Sequence, residues 1–198
     1  MPDPRDGRAE RGEATRAALI NAGRELFSER GYAAVGTNEV VQRAGVTRGA
    51  MYHHFPDKRE LFRAVYEDTE RLLVEGLGAR IETIEDPWEA LVTGMRSFFD
   101  VSSDPKLMQM GLIDGPAVLG WEAWRDIGNR YGLQVTTAAL QKAMDAGVLR
   151  SADVTLLAHM LLAALGEAAM LLASSTDPRA ERERVETTIL IMLEGLRA

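Results

Sequence analysis

The chain has no cysteine. Disulfides, thiolate metal sites and thiol redox chemistry are excluded, and the usage fits a reducing cytoplasm. Histidine is scarce, with three in 198 residues. No window alternates cleanly between apolar and polar residues, so no strand is expected. Long apolar runs are also missing. The most apolar stretch, Leu156 to Leu172, contains His159 and Glu167 and is short for a membrane span. It reads as a buried helix, and no membrane contact is expected. The N-terminal stretch MPDPRDGRAERGEATR lacks the apolar centre of a signal peptide. Residues 1–12 read as a flexible tail.

What is present is ordinary for a folded domain: 46% apolar and 27% charged residues. The net charge of −7 looks unfavourable for a partner that is itself an anion. Its distribution is less so. Residues 1–63 hold 11 Lys and Arg against 9 Asp and Glu, whereas the remainder holds 12 against 21. A polyanion would therefore dock at the N-terminal end.

Helical spacing dominates. Asp86-Pro87, Asp104-Pro105 and Asp177-Pro178 each open an apolar pattern. Aspartate accepts from free amides at a helix start, and proline in the first turn loses no needed donor. The first helix is expected from Glu13 to Arg30, with Leu19, Ala22, Leu26 and Phe27 on one face and Gly31 ending it. A short second helix starts after Thr37 and a third after Thr47. Asp57-Lys58-Arg59-Glu60 resembles a capping box. It opens a fourth helix, packed through Leu61, Ala64, Val65 and Leu72 and ending near Gly76 to Gly78. Further helices fall near 87–101, 105–113, 119–146, 153–174 and 179–197. The expectation is an all-α chain of about nine helices. The functional break is expected along the fourth helix, between residues 13–63 and residues 64–198.

Residues 37–54 have the anatomy of a helix-turn-helix. Thr37 is the expected cap of the first helix. Val40, Val41 and Ala44 pack, Gly45 makes the turn, and Val46 plugs it into the core. Thr47 caps the second helix, from which Met51 and Phe55 point inward. The opposite face carries Arg48, Gly49, Tyr52 and His53, with His54 at its end and Lys58 opening the next helix. So short a helix is a poor strut, and its exposed residues suit phosphates and base edges.

Ala22, Leu26-Phe27, Gly31-Tyr32, Thr37, Val40, Ala44-Gly45-Val46-Thr47, Gly49-Ala50-Met51-Tyr52, His54-Phe55, Lys58 and Glu60-Leu61 resemble the DNA-binding domain of TetR-family transcriptional regulators. The resemblance covers residues 15–63. Val41 departs from it, since alanine is commoner there. It implies an all-α homodimer whose heads read a palindromic operator in double-stranded DNA, and whose C-terminal domain holds an effector pocket. Thr37, Tyr52, His54 and Lys58 correspond to phosphate contacts. Arg48, Gly49 and His53 correspond to groove residues, with Thr47 at the start of the helix that carries them. Arg48 suits bidentate reading of guanine.

These residues admit other readings. The Tyr52 ring can simply pack on the first helix. His53 and His54 point about 100° apart on a helix and cannot easily share one metal ion, so no metal is expected. No nucleophile–base arrangement and no phosphate-cradling glycine loop is evident, so neither an enzyme nor a cofactor is expected.

Residues 153–174 and 179–197 each carry an apolar stripe. Leu157, Leu161, Leu165, Ala168 and Leu172 on the first, and Val185, Ile189 and Met192 on the second, are the expected dimer interface, a four-helix arrangement of two copies. The stretch 111–133 loosely resembles C-terminal domains of one group of TetR-like regulators. Trp121 and Trp124, with Met95, Phe98, Phe99, Met108, Met110, Leu112 and Tyr131, line a cavity or fill a core. His159 is grouped with them. His159 and Glu167 either bond their surroundings, cross the dimer interface or meet a ligand. The expected function is a cytoplasmic repressor released from its operator by a small, largely apolar effector. The alternative keeps DNA binding and dimerisation without an effector, the C-terminal domain docking a protein partner or only dimerising.

Overall fold

The computed structural model describes residues 6–198, with side chains from residue 10 onward. The head consists of α1 (Asp6–Arg30), α2 (Thr37–Ala44) and α3 (Arg48–His54). The long α4 (Lys58–Glu82) leads into the body, followed by α5 (Pro87–Ser102). A broken helix comes next: α6 (Pro105–Met108), a π-helical turn (Gln109–Asp114) and α7 (Gly115–Leu119). Then follow α8 (Trp121–Asp145), α9 (Val154–Ser174) and α10 (Pro178–Glu194). With the broken helix counted once, the described residues hold nine helices, as expected of an all-α chain. Among the described residues the only extended pairing is an isolated bridge between Leu149 and Arg197.

The aspartate–proline starts behave as their chemistry dictates. Asp86 accepts from the amides of Trp88 and Glu89 at 2.8 and 3.1 Å, and Asp104 from Lys106 at 2.8 Å. Asp177 accepts from Ala180 at 3.1 Å, and Asp57 caps α4 through Glu60 at 2.8 Å.

Four boundaries differ from expectation. α1 begins at Asp6, so residues 6–12 of the expected tail are helical, while residues 1–5 lie outside the described residues. The cap of α2 is Gly36, not Thr37: Glu39 accepts from the Gly36 amide at 2.9 Å, which starts the helix one residue early. α4 runs through Gly76 and Gly78 to Glu82, because Gly78 and Ile81 are buried in the packing against the body. The helix expected over 105–113 continues to Leu119. Pro116 has no amide to donate, so an unbroken α-helical ladder cannot pass through it; the chain widens into the π turn just before it.

Three apolar clusters form the core. The first joins the head to the body: Leu19, Leu26, Phe27, Val40, Met51 and Phe62 share it with Met110, Leu119 and Ile127. The second lies between α5, α9 and α10, around Phe99, Leu165, Leu172 and Ile189. The third joins α5, α8 and α9 around Leu140 and Ala158. The head is thus packed directly onto the π turn and the start of α8.

Candidate nucleic-acid interface and cavity

The turn between α2 and α3 explains the shape of the head. Gly45 adopts φ of 68°, a left-handed conformation that costs other residues free energy, and its amide closes back on Gln42 at 3.2 Å. Val46 packs against the head cluster, and Met51 and Phe55 are buried beneath α3. The Thr47 hydroxyl accepts from the Ala50 amide at 3.1 Å. Arg48, Gly49, Tyr52 and His53 are left facing solvent together.

Tyr52 is 41% exposed, so its ring is not a packing element on α1. The Arg48 guanidinium lies 5.5 Å from the ring centroid. Arg48, and then Thr37, hold the phenol below its ordinary pKa by favouring its anionic form. Thr37, displaced from its expected capping role, stands beside Tyr52 instead. Neighbouring Arg30 and Arg43 are engaged: Arg30 pairs with Glu39, and Arg43 with Glu25 at 2.7 Å. Arg48 has no such carboxylate partner among the described residues. His53 is exposed, whereas His54 is half-buried, their rings 5.3 Å apart and edge to face.

Lys58 is placed differently from the rest. Its ammonium donates to the Tyr32 carbonyl at 2.6 Å and sits 4.0 Å from the Tyr32 ring centroid. Burial lowers its pKa, against the opposing influence of Asp114 and Glu39. A phosphate contact would therefore share this lysine with Tyr32.

Tyr32 is also where the body grips the head. Its amide donates to Asp114 at 2.7 Å, and Asp114 accepts from Gln109 at 3.2 Å. Both partners belong to the π turn. Gly31, at φ 75°, lets this turn approach closely: a Cβ there would stand 3.3 Å from the Gln109 amide nitrogen and 3.4 Å from an Asp114 oxygen. Arg59 adds two bonds of 3.0 Å, to the carbonyls of Val118 and Leu119 in α7.

Behind the π turn lies a cavity of about 980 Å³, bounded by α4, α5, the broken helix, α8 and α9. Met95, Phe98, Met108, Leu112, Trp121, Trp124 and His159, all expected there, line it, as do Met110 and Glu167. Leu72, expected on the packed face of α4, lines it as well. Phe99 and Tyr131 do not. Adjacent residues diverge by about 100° on a helix; Phe98 meets the cavity while Phe99 is wholly buried between α5, α9 and α10. Tyr131 packs on the same side as Ile127, against the head cluster. Trp124 touches both regions, and its indole donates to the Gly111 carbonyl of the π turn at 2.7 Å.

The sequence reading missed Tyr66, Thr69 and Glu70, which line the cavity from α4. The signal was present as an i, i+3, i+4 set, but within Tyr66-Glu67-Asp68-Thr69-Glu70 it passes for a solvated face.

The expected dimer interface needs correction. Leu165, Ala168, Leu172, Val185 and Ile189 are buried within the chain's own second cluster, and Leu157 and Leu161 are half-buried. Only Met192 of the expected set is exposed. The stripes chosen from spacing are those that α9 and α10 turn towards α5. The outward faces carry Leu156, Met160 and Leu171 on α9, and Ile191 and Met192 on α10, with Met160 61% and Ile191 67% exposed. α9 is long and apolar enough to cross a membrane by length and composition alone, and only 28% of its most apolar window is buried inside the chain. It is therefore not covered on most sides, as its composition had suggested.

Comparison with known proteins agrees with this anatomy. Residues 19–65 match the family description "Bacterial regulatory proteins, tetR family", and residues 88–196 match "Tetracyclin repressor-like, C-terminal domain". The Transposon Tn10 TetC protein of Escherichia coli is 27% identical over 75% of this chain and 75% of its own length. The HTH-type transcriptional activator FasR of Mycolicibacterium smegmatis is 38% identical over 49% of this chain and 41% of its own. The crystal structure of a TetR-family transcriptional regulator from Pectobacterium atrosepticum superposes with a TM-score of 0.85 and 33% identity, covering 96% of this chain and 97% of that one. RolR in complex with resorcinol shares the fold, with a TM-score of 0.75 at 24% identity over 93% and 89% of the two chains. With both its head and its body matched, the chain belongs to the TetR family of DNA-binding transcriptional regulators.

Proposed function

We propose that the protein is a cytoplasmic repressor. Two copies read a palindromic operator through α3, and a small, largely apolar effector releases them. Arg48, Gly49 and His53 meet base edges, and Tyr52 and Thr37 meet phosphates. Thr47 fixes the start of the helix, and His54 and Lys58 lie at its flank. The observation that carries the release mechanism is that one element serves both sites. The π turn lines the cavity through Met110, Gly111 and Leu112 and holds the head through Asp114. A ligand pressing on that turn changes the angle of the head, and the two α3 helices lose the spacing of successive major grooves. The ligand must favour the DNA-incompetent arrangement, since equal affinity for both would shift nothing.

The second copy docks on the outward faces of α9 and α10 rather than on the stripes the spacing favoured. Exposed apolar faces on two adjacent helices are what a four-helix interface covers. FasR, a named activator, sets the sign of regulation as the point to test. Reporter expression from the promoter beside the operator rises on deletion of a repressor and falls on deletion of an activator.

The DNA-reading assignment is tested by combining Arg48→Ala with Tyr52→Phe. Operator binding should vanish while the melting temperature stays within about 2 °C, since both side chains are exposed. Retained binding would remove these residues from the interface.

A further inference from the structure

The cavity lining is mostly apolar, with Ser97 and Ser102 of α5 and Asn129 and Thr136 of α8 adding neutral polar groups, and α4 carries a polar cluster of its own. There Tyr66, Thr69 and Glu70 stand together. The Thr69 hydroxyl is already committed, donating to the Val65 carbonyl at 2.8 Å. Glu70 is different. Protein encloses it, yet it keeps accessible surface because part of it faces the cavity. No arginine, lysine or histidine pairs with it among the described residues. Burial raises its pKa, opposed only by the neighbouring Tyr66 hydroxyl. The other charged groups around the cavity, Arg80, Asp100, Arg125, His159 and Glu167, are all exposed and lie at its rim. Asp100 is moreover held by Arg182 at 2.7 Å.

An unpaired carboxyl so enclosed is costly unless it is neutralised. For the anion, a cation bound in the cavity would do this. A neutral hydroxyl would offer Glu70 a hydrogen bond but leave its charge uncompensated, and an anion would be repelled. The surrounding side chains favour the cation as well. Phe98, Trp121, Trp124 and Tyr66 present aromatic surface, and Met95 and Met108 add polarizable thioethers. The net charge of −7 attracts a cation at longer range.

We propose that the cavity binds a lipophilic organic cation, whose charge pairs with Glu70 and whose apolar body lies against Trp121, Trp124 and Phe98. This rests on the cavity being the effector site. Glu70 is then the residue that selects the sign of the ligand's charge.

The test is a calorimetric titration of the full chain with three probes: tetraphenylphosphonium, the similarly shaped anion tetraphenylborate, and neutral N-phenyl-1-naphthylamine. Each is repeated on Glu70→Gln, which keeps the shape and removes the charge. The phosphonium should bind the wild type and lose about tenfold or more in affinity in the variant. The borate should bind the wild type far more weakly than the phosphonium. The naphthylamine should bind both proteins alike, which shows that the variant's cavity is intact. Equal phosphonium affinity in the two proteins, or borate binding as tight as phosphonium binding, overturns the proposal. Naphthylamine binding without phosphonium binding also overturns it but leaves the cavity reading standing. Failure of all three probes removes the cavity reading and the proposal together.

Discussion

Two carboxylates on α4, two residues apart, have opposite effects on stability. Asp68 faces α1 and is held by Arg24 of that helix and by Arg71 of α4 itself, the latter at 2.7 Å. Burial alone would raise its pKa, but the bonds and charges of the two arginines outweigh this and lower it. The folded protein therefore prefers the Asp68 anion. Its contribution is complete above the unfolded pKa of roughly 4 and is lost as pH falls through the lower folded value. Asp68→Asn should cost about 1 kcal/mol at pH 7, a modest value for a half-exposed pair. The difference from wild type should close in acid. Glu70 carries the opposite sign. Its pKa is raised, so the folded state disfavours its anion, and the penalty grows as pH rises above the unfolded pKa. Glu70→Gln should leave the protein as stable or more stable at pH 7, and unchanged below roughly pH 4. Denaturant melts of both variants at pH 7 and pH 4 check the pair. Destabilisation of Glu70→Gln at pH 7 would show that the carboxylate has a partner after all.

At the scale of elements, the broken helix is the part with most consequence. Asp114 accepts the Tyr32 amide, Arg59 holds α7 by two carbonyls, and Trp124 holds Gly111. Asp114→Ala removes the acceptor but not the cavity. It should cost about 1–2 kcal/mol, the price of an unpaired amide in a partly buried site. It should also make operator affinity insensitive to any ligand that releases the wild type. Gel-shift titrations with and without ligand would check this; an unchanged response would return the coupling to α4 alone. Little of this was legible in the sequence. Helix starts were, because Asp-Pro pairs act locally, and so was the helix-turn-helix, whose Gly45, Val46 and Met51 each answer one geometric need. The π turn follows from Pro116, but its grip on Gly31 and Tyr32 joins residues 82 apart, which spacing along the chain does not reveal. The stripes of α9 and α10 misled for a related reason. Spacing identifies an apolar face, and both helices have two. Which one turns inward is decided by α5, through Met95 and Phe99.

For the whole molecule, the acidic body and the mildly basic head divide two tasks. The body's uncovered apolar surface on α9 and α10 calls for a second copy, and the regulators of this family act as dimers. Met160→Glu together with Ile191→Glu places charge on the outward faces and leaves the inner clusters untouched. Sedimentation should show a monomer that keeps its helical content, with operator affinity sharply reduced because two half-sites are no longer read together. A variant that remains dimeric would put the interface elsewhere.

Whether the head reads a particular DNA sequence is decided by a salt titration of binding to the DNA flanking the protein's own gene, against a scrambled duplex of equal length. The flanking duplex should be preferred by about a thousandfold or more, with affinity falling steeply between about 50 and 200 mM salt as phosphate contacts are screened. Equal and weak binding to both duplexes would contradict sequence reading by the head.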